Sequence, residues 1–146
     1  MLENHFLHIS DKLRLAFYKR VFSVVREREG SLSAMEVFSL EVIYLLGAPT
    51  VSEFADFIGI SRSAASYKVA MLMQKGYITK EASENDKREF KLVLTEKYLK
   101  YVKLYEESLK FFVIQGEKKY THEQLSEFEN TLTALEESYS KIEDLI

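Results

Sequence analysis

The 146-residue chain contains no cysteine, one proline and five glycines. Without cysteine it cannot form a disulfide framework, a thiolate zinc site, an iron–sulfur cluster or a cysteine nucleophile. No run of about 18 apolar residues is present, so the sequence predicts no membrane span. The N-terminus also lacks the apolar segment and the cleavage site of a secretory signal. At about 100–200 residues per domain, the length favours a single domain that needs no disulfide or structural metal, and we expect a soluble, cytoplasmic protein.

An excess of basic residues is also absent, because 20 basic residues stand against 23 acidic ones and the net charge is −3. This overall balance by itself argues against binding to nucleic acid. The middle of the chain differs, since residues 61–100 hold nine Lys or Arg against five acidic residues. Residues 117–146 hold three basic and eight acidic residues, and residues 31–60 hold four acidic residues and no Lys or Arg. The basic middle segment is therefore a local electrostatic footprint.

Start and stop signals divide the chain into six predicted helices. Glycine adopts the left-handed conformation that ends many helices, and all five glycines fall at predicted helix ends. Capping boxes, which satisfy two backbone donors reciprocally, are predicted at Ser33, Thr50 and Thr121. Ser61 and Thr95 are further N-cap candidates, and Pro49 stops the helix before it. These signals predict helices at about 3–29, 34–46, 51–58, 61–75, 96–115 and 122–144.

Residues 77–94 have the two-residue period of strands. Phe90, Leu92 and Leu94 occupy alternate positions, which is the pattern of a half-buried strand. A partner strand is predicted at 77–80, where β-favouring residues occur, and the polar stretch 81–87 separates the two strands. We expect a hairpin with a long, charged tip.

Residues 51–76 combine a short helix, a turn at Gly59-Ile60-Ser61 and a longer helix, which is helix-turn-helix geometry. The glycine in the turn and the small Ala64-Ala65 pair allow the two helices to approach closely. The inward face of the second helix is predicted to consist of Ala65, Val69 and Leu72. Its outward face is predicted to present side chains of the kinds that contact bases and phosphates in a major groove, namely Arg62, Ser63, Ser66 and Tyr67. With the hairpin that follows, the predicted fold class is mainly α with a two-stranded β wing, a winged helix-turn-helix.

At these segments the sequence resembles the MarR (multiple antibiotic resistance regulator) family of transcriptional regulators. The resembling segments are VSEFA at 51–55, IGISRSA at 58–64, QKGYI at 74–78, NDKR at 85–88 and LVLTEK at 92–97. The resemblance implies a homodimer, usually a repressor, that binds a pseudo-palindromic operator in double-stranded DNA. It also implies that an effector, such as a small molecule, modulates this binding. The chain departs from the family at Tyr98, where glycine is common, and at Glu84 and Glu89, which lower the positive charge of the wing.

The resemblance also implies roles for the wing. Arg88 would enter the minor groove, where a narrow groove concentrates negative potential, and Asp86 would orient Arg88 by a charge-assisted hydrogen bond. Lys87 in the wing, and Lys68 in the predicted helix 61–75, would contact phosphates. Alternatively, residues 86–88 form only a solvated turn. The complete predicted DNA-binding set is Ser61, Arg62, Ser63, Ser66, Tyr67, Lys68, Asp86, Lys87 and Arg88.

The last helix has an apolar stripe with alternating spacings of three and four residues, as in a coiled-coil seam. The stripe consists of Leu125, Phe128, Leu132, Leu135, Tyr139 and Ile142. The first and fifth helices have similar stripes. Part of each stripe must pack within one chain, and the three striped helices also suit a dimer interface. We favour the dimer, with the winged helix-turn-helix at 34–95 and dimerisation helices at 1–30 and 96–146.

Other functions fit the sequence less well. A hydrolase needs an activated nucleophile, but the three histidines fall near the chain ends and no phosphate-binding glycine loop is present, so we predict no enzyme. His5 and His8 could hold a metal in a metal-responsive regulator, but no cysteine supports a tight site, and we predict neither a metal nor a cofactor. A winged helix that binds only proteins would have an apolar outer face, whereas the face predicted here is polar and basic.

Overall fold

The structure, a computed structural model, describes residues 1–27, 32–83 and 89–143, with side chains up to residue 139. Its helices are α1 (Leu2–Arg26), α2 (Ala34–Leu45), α3 (Val51–Ile58), α4 (Arg62–Gln74), α5 (Glu96–Glu117) and α6 (His122–Glu143). The strands β1 (Ile78–Ala82) and β2 (Phe90–Leu94) pair antiparallel. The predicted fold class, mainly helical with a two-stranded wing, is confirmed. None of the described helices combines the length and the apolar character that a membrane span requires.

The helices begin where the capping boxes predict. Ser33, Thr50 and Thr121 each accept a hydrogen bond from the backbone N–H three residues later, and the Glu or Gln at that position accepts one from the N–H of the capping residue. Thr95 lies at the predicted N-cap position of α5, where its carbonyl accepts the Leu99 N–H at 3.1 Å. Its hydroxyl donates to the Gly76 carbonyl at 2.7 Å and so joins the start of α5 to the end of α4. Gly116 differs from its prediction, since it lies within α5. Gly30 lies outside the described residues.

The hairpin pairs Ile78 with Leu94 at one end and Ala82 with Phe90 at the other. Leu92 and Leu94 are buried as predicted, but Phe90 is 48% exposed because it lies at the end of the hairpin away from the core. A third short pairing, not predicted from the sequence, holds β2 to the start of α3: Thr50 bridges Lys91, and the Leu92 N–H donates to the Pro49 carbonyl at 2.8 Å. A single bridge has no periodicity, so no sequence pattern indicates it.

The chain divides into two compact units, Met1–Val102 and Lys103–Ile146. The first has a continuous apolar core drawn from α1, α2, α3, α4, both strands and the first turns of α5. Phe54, Ala65, Val69 and Leu92 are among its fully buried members. In the second unit, none of the described side chains is fully buried. The first unit thus contains a closed core, although α1 also exposes apolar side chains such as Phe6 and Phe22, whereas the second unit has no fully buried side chain among its described residues.

A polar cluster joins three helices inside the first unit. Arg20 of α1 donates to one carboxylate oxygen of Glu41 on α2 at 2.5 Å, and the hydroxyl of Tyr98 on α5 donates to the other oxygen. Glu41 and Tyr98 are both buried. Burial, followed by the negative charge of Glu41, raises the pKa of Tyr98 above its ordinary value, so the hydroxyl keeps its proton and remains a donor. Tyr98, which replaces the glycine common in the resembling family, therefore links α5 to α2.

Candidate nucleic-acid interface

Helix α4 has one buried and one exposed face, as the sequence predicts. Ala65, Val69 and Leu72 are buried in the core beside α3. The predicted outward residues Arg62, Ser63, Ser66 and Tyr67 are all exposed, Tyr67 to 69%. Lys68 is half-buried at the edge of this face. Six of the predicted contact residues therefore share one helix and its N-cap, and five of them lie on the exposed surface: Ser61, Arg62, Ser63, Ser66 and Tyr67.

The turn before α4 fixes where this face begins. Gly59 has a φ of 68°, in the left-handed region, and the Ile60 N–H donates back to the Ala55 carbonyl at 3.1 Å. Ser61 then caps α4, because its hydroxyl accepts from the Ala64 N–H at 3.2 Å. Of the predicted alanine pair, Ala65 is buried and Ala64 is exposed, so only Ala65 lies in the core. The exposed side chains at the start of α4 thus follow a tightly bonded turn.

The C-terminal end of α4 closes on a second left-handed glycine. Gly76 has a φ of 77°, its N–H donates to the Met73 carbonyl, and the Tyr77 N–H donates to the Leu72 carbonyl. These two bonds form a Schellman motif, with Tyr77 and Leu72 both buried as its apolar pair. Both ends of the helix are therefore fixed by local hydrogen bonds.

An ion pair that the sequence pattern did not predict joins α4 to the start of α2. Lys75 Nζ lies 2.7 Å and 2.9 Å from the two carboxylate oxygens of Glu36, which also accepts the backbone N–H of Ser33. Partial burial would raise the pKa of Glu36, but the hydrogen bonds from Lys75 and Ser33 outweigh it, and the pKa lies below its ordinary value. The capping-box pattern identified Glu36 but not its second partner, because the partner is 39 residues away in the chain.

The hairpin continues for one residue beyond its last strand pair, Ala82 and Phe90. The Ser83 N–H donates to the Glu89 carbonyl at 3.0 Å, one residue beyond the last strand pair. The predicted wing residues Asp86, Lys87 and Arg88 lie outside the described residues. Their roles therefore stay predictions.

No group of three or more potential metal ligands is found within residues 1–27, 32–83 and 89–143. His5 and His8 are exposed on α1, and His122 is exposed at the start of α6. A shallow groove lies beside the interface, between the start of α2 and the outward side of α4, and it is lined in part by Ser33, Tyr67 and Lys68. The groove is lined by apolar as well as polar side chains, including Met35 and Met71.

Known proteins resemble this chain in sequence over the winged helix and in fold over most of its length. Residues 32–90 match the family model described as MarR family. The transcriptional regulator Tm0710 from Thermotoga maritima has a TM-score of 0.57 and 20% identity, covering 93% of this chain and 94% of that one. Streptococcus pneumoniae FabT in complex with DNA has a TM-score of 0.54 and 23% identity, covering 97% and 99%. A mutant of S. aureus MepR bound to an oligodeoxyribonucleotide has a TM-score of 0.52 and 16% identity, covering 95% and 98%.

No curated protein sequence matches the chain. The structural likenesses show the fold, and the family match covers α2, α3, α4 and β1 together with the first residue of β2. Residues 32–90 contain four of the five segments on which the sequence resemblance depends, those at 51–55, 58–64, 74–78 and 85–88. Residues 32–90 of this chain are thus similar to the MarR family of transcriptional regulators, and the solved structures share its fold over most of its length.

Proposed function

We propose that this protein is a sequence-specific regulator of transcription that binds double-stranded DNA as a homodimer in the cytoplasm. One observation is central: α4 presents an exposed polar face with Arg62 and Tyr67, while its opposite face is buried in the core of a winged helix. DNA is present in the complexes of FabT and MepR, which have the same fold. The basic character of residues 61–100 supports the same partner.

Each part of the surface has its own role in this proposal. The side chains of Arg62, Ser63, Ser66 and Tyr67 contact bases or phosphates in the major groove, and Ser61 holds the helix start in register. Lys68 and Lys87 contact phosphates, which supply affinity without sequence information. Arg88 enters the minor groove, and Asp86 orients its guanidinium.

The terminal helices supply the dimer contact. In α5, four consecutive apolar residues, 111–114, are exposed, so they cover every side of one helical turn. Phe128, Leu132, Leu135 and Tyr139 leave the predicted seam of α6 exposed as well. An apolar surface of this kind indicates a protein interface. We assign dimerisation to 1–30 and 96–146, and DNA binding to 34–95.

A repressor mechanism follows from the geometry of two linked winged helices. Both copies of α4 must reach successive major grooves roughly 34–36 Å apart, so a small change at the dimer junction weakens both contacts together. An effector that alters this separation releases the DNA. Because the chain contains no cysteine, the signal does not act by thiol oxidation.

The test is binding of the purified protein to the DNA upstream of its own gene, measured by fluorescence anisotropy over a range of salt concentrations. We expect Arg62→Ala to weaken binding, and Lys19→Ala, which removes an exposed positive charge from α1, to leave it unchanged. Circular dichroism of each variant reports the fold. If the wild-type protein binds this DNA no better than an unrelated duplex, sequence-specific binding at that site is refuted. If the wild-type protein binds neither duplex at low salt, the proposed function is wrong.

A further inference from the structure

The end of α4 and the start of α5 are held together by direct hydrogen bonds as well as by the hairpin that connects them along the chain. Three consecutive carbonyls after the end of α4 accept hydrogen bonds from residues at the start of α5. Lys97 Nζ donates to the Lys75 carbonyl at 2.8 Å, the Thr95 hydroxyl donates to the Gly76 carbonyl at 2.7 Å, and the Thr95 N–H donates to the Tyr77 carbonyl at 2.9 Å. We call residues 75–77 with Thr95 and Lys97 the α4–α5 joint.

The position of Lys97 matches the electrostatics of a helix end. Carbonyls at the C-terminal end of a helix bear partial negative charge, and an ammonium group placed there is attracted to it. The Lys97 ammonium also lies 4.3 Å from the centre of the Tyr77 ring, a cation–π distance. Lys97 therefore bonds α4 at its terminal turn and packs on the aromatic ring that closes the Schellman motif.

The joint continues into the polar cluster of the same compact unit. Tyr77 packs edge-to-face on Tyr98, with ring centroids 6.3 Å apart, and Tyr98 donates to Glu41, which is paired with Arg20. Contacts thus run without a gap from the end of α4 through the first turn of α5 to α2 and α1. Packed networks of this type couple the orientation of one element to another.

On the basis of the proposed function, we propose that Lys97 and Thr95 are positioning residues that set the orientation of α4 on DNA without touching the DNA themselves. Lys97 uses its ammonium on the Lys75 carbonyl and the Tyr77 ring, and Thr95 uses its hydroxyl on the Gly76 carbonyl. Removal of these bonds lets the C-terminal end of α4 shift against α5. The residues on its outward face then meet the bases in poorer geometry.

The experiment compares Lys97→Met and Thr95→Val, which remove the donor group at nearly constant size, with Lys97→Arg and Thr95→Ser, which retain one. Lys100→Met is the matched control, because Lys100 lies one turn further along α5 with its ammonium 4.8 Å from the Tyr101 ring. The affinity for the DNA upstream of the protein's own gene is measured at a series of salt concentrations for each protein, together with its thermal unfolding. Measurements are made well below the unfolding temperature of every variant.

We expect Lys97→Met to weaken operator binding by about tenfold, Thr95→Val by less, and Lys100→Met to have no effect. The plot of log affinity against log salt for Lys97→Met should run parallel to that of the wild type, because no phosphate contact is lost. Lys97→Arg and Thr95→Ser should recover most of the affinity.

Three outcomes would overturn the proposal. A lower salt slope in Lys97→Met would mean that Lys97 contacts a phosphate directly. Unchanged affinity with a lower unfolding temperature would mean that the joint only stabilises the fold. An equal loss in Lys100→Met would mean that any positive charge in this part of α5 has the same effect. A wild-type protein that does not bind DNA would instead refute the proposed function, and the two failures are thereby distinguished.

Discussion

The two compact units differ in how completely they bury their apolar side chains. In Met1–Val102, the side chains of the winged helix close around a core in which Phe54 and Leu92 have no exposed surface. In Lys103–Ile146, every described apolar side chain keeps some exposure, and Phe112 is 74% exposed. The winged helix is thus complete within one chain. The helices of the second unit have an apolar surface that needs a partner, and the proposed second copy supplies one.

The largest expected effect tests the open surface. Replacing both Leu132 and Leu135 by glutamate places two charges in the proposed α6 seam, where a buried unpaired charge is very costly. We expect the dimer to dissociate or unfold completely, as measured by light scattering and circular dichroism at micromolar concentration. Ser126→Glu with Thr133→Glu adds the same charge at exposed positions outside the seam of the same helix and should leave the dimer intact. A well-folded monomer of the native sequence under these conditions would contradict the dimer.

The closed core is tested by two phenylalanines on α3. Phe54 is fully buried and Phe57 is 63% exposed, although they lie three residues apart. Phe54→Ala should lower the free energy of unfolding by about 3–5 kcal/mol, because it removes buried apolar surface and leaves a cavity. Phe57→Ala should change it by no more than about 0.5 kcal/mol. Chemical denaturation of both variants measures the difference, and equal losses would mean that Phe57 is buried in the assembled protein.

A third prediction separates DNA binding from assembly. Arg88→Ala should weaken operator binding by about 1–3 kcal/mol per wing and lower the salt slope by about one unit per lost contact, while the dimer stays intact. Both subunits of the proposed dimer have the change, so the loss occurs twice. Asp86→Ala should cost less, because Arg88 keeps its charge and loses only its preferred orientation.

Operator affinity against salt for the wild type and both wing variants decides this prediction, with circular dichroism as the control for the fold. If Arg88→Ala binds with wild-type affinity, the wing does not touch DNA and the role inferred from the family resemblance is wrong.

The smallest expected effect concerns the Glu36–Lys75 ion pair of the closed unit. The pKa of Glu36 is lower in the folded protein than the ordinary value of 4.5. The carboxylate therefore stabilises the fold fully above pH 4.5, and this contribution is lost as the pH falls through the folded pKa. Glu36→Gln should lower the free energy of unfolding by up to about 1 kcal/mol at neutral pH. The difference from the wild type should shrink below pH 4.5.

Thermal unfolding at a series of pH values measures this dependence. Lys75→Met is the matched variant, because it removes the other half of the pair, and Glu36→Gln should have a smaller effect in that background. A difference between wild type and Glu36→Gln that persists unchanged in acid would show that the charge of Glu36 is not what stabilises the fold.

Features that depend on residues close together in the chain could be predicted from the sequence, and features that depend on distant residues could not. Capping boxes at Ser33, Thr50 and Thr121 and the glycine turn at Gly59 were predictable, because each depends on residues only a few positions apart. Phe90 was predicted to face inward from its alternation with Leu92 and Leu94. Its exposure depends on where the core ends, which alternation does not encode.

The candidate site also has features that the sequence predicted and features that only packing decided. The exposed face of α4 was predicted from the helical period, because residues three and four apart share a face and the inward positions hold Ala65, Val69 and Leu72. The sequence by itself therefore determined the helices, the hairpin and the outward residues of α4. The tertiary structure alone decided the pairing of Lys75 with Glu36, the Arg20–Glu41–Tyr98 cluster and the contacts of Lys97 with the end of α4. These partners are about 20 to 60 residues apart, and no local period relates them, so only packing brings them within hydrogen-bond distance.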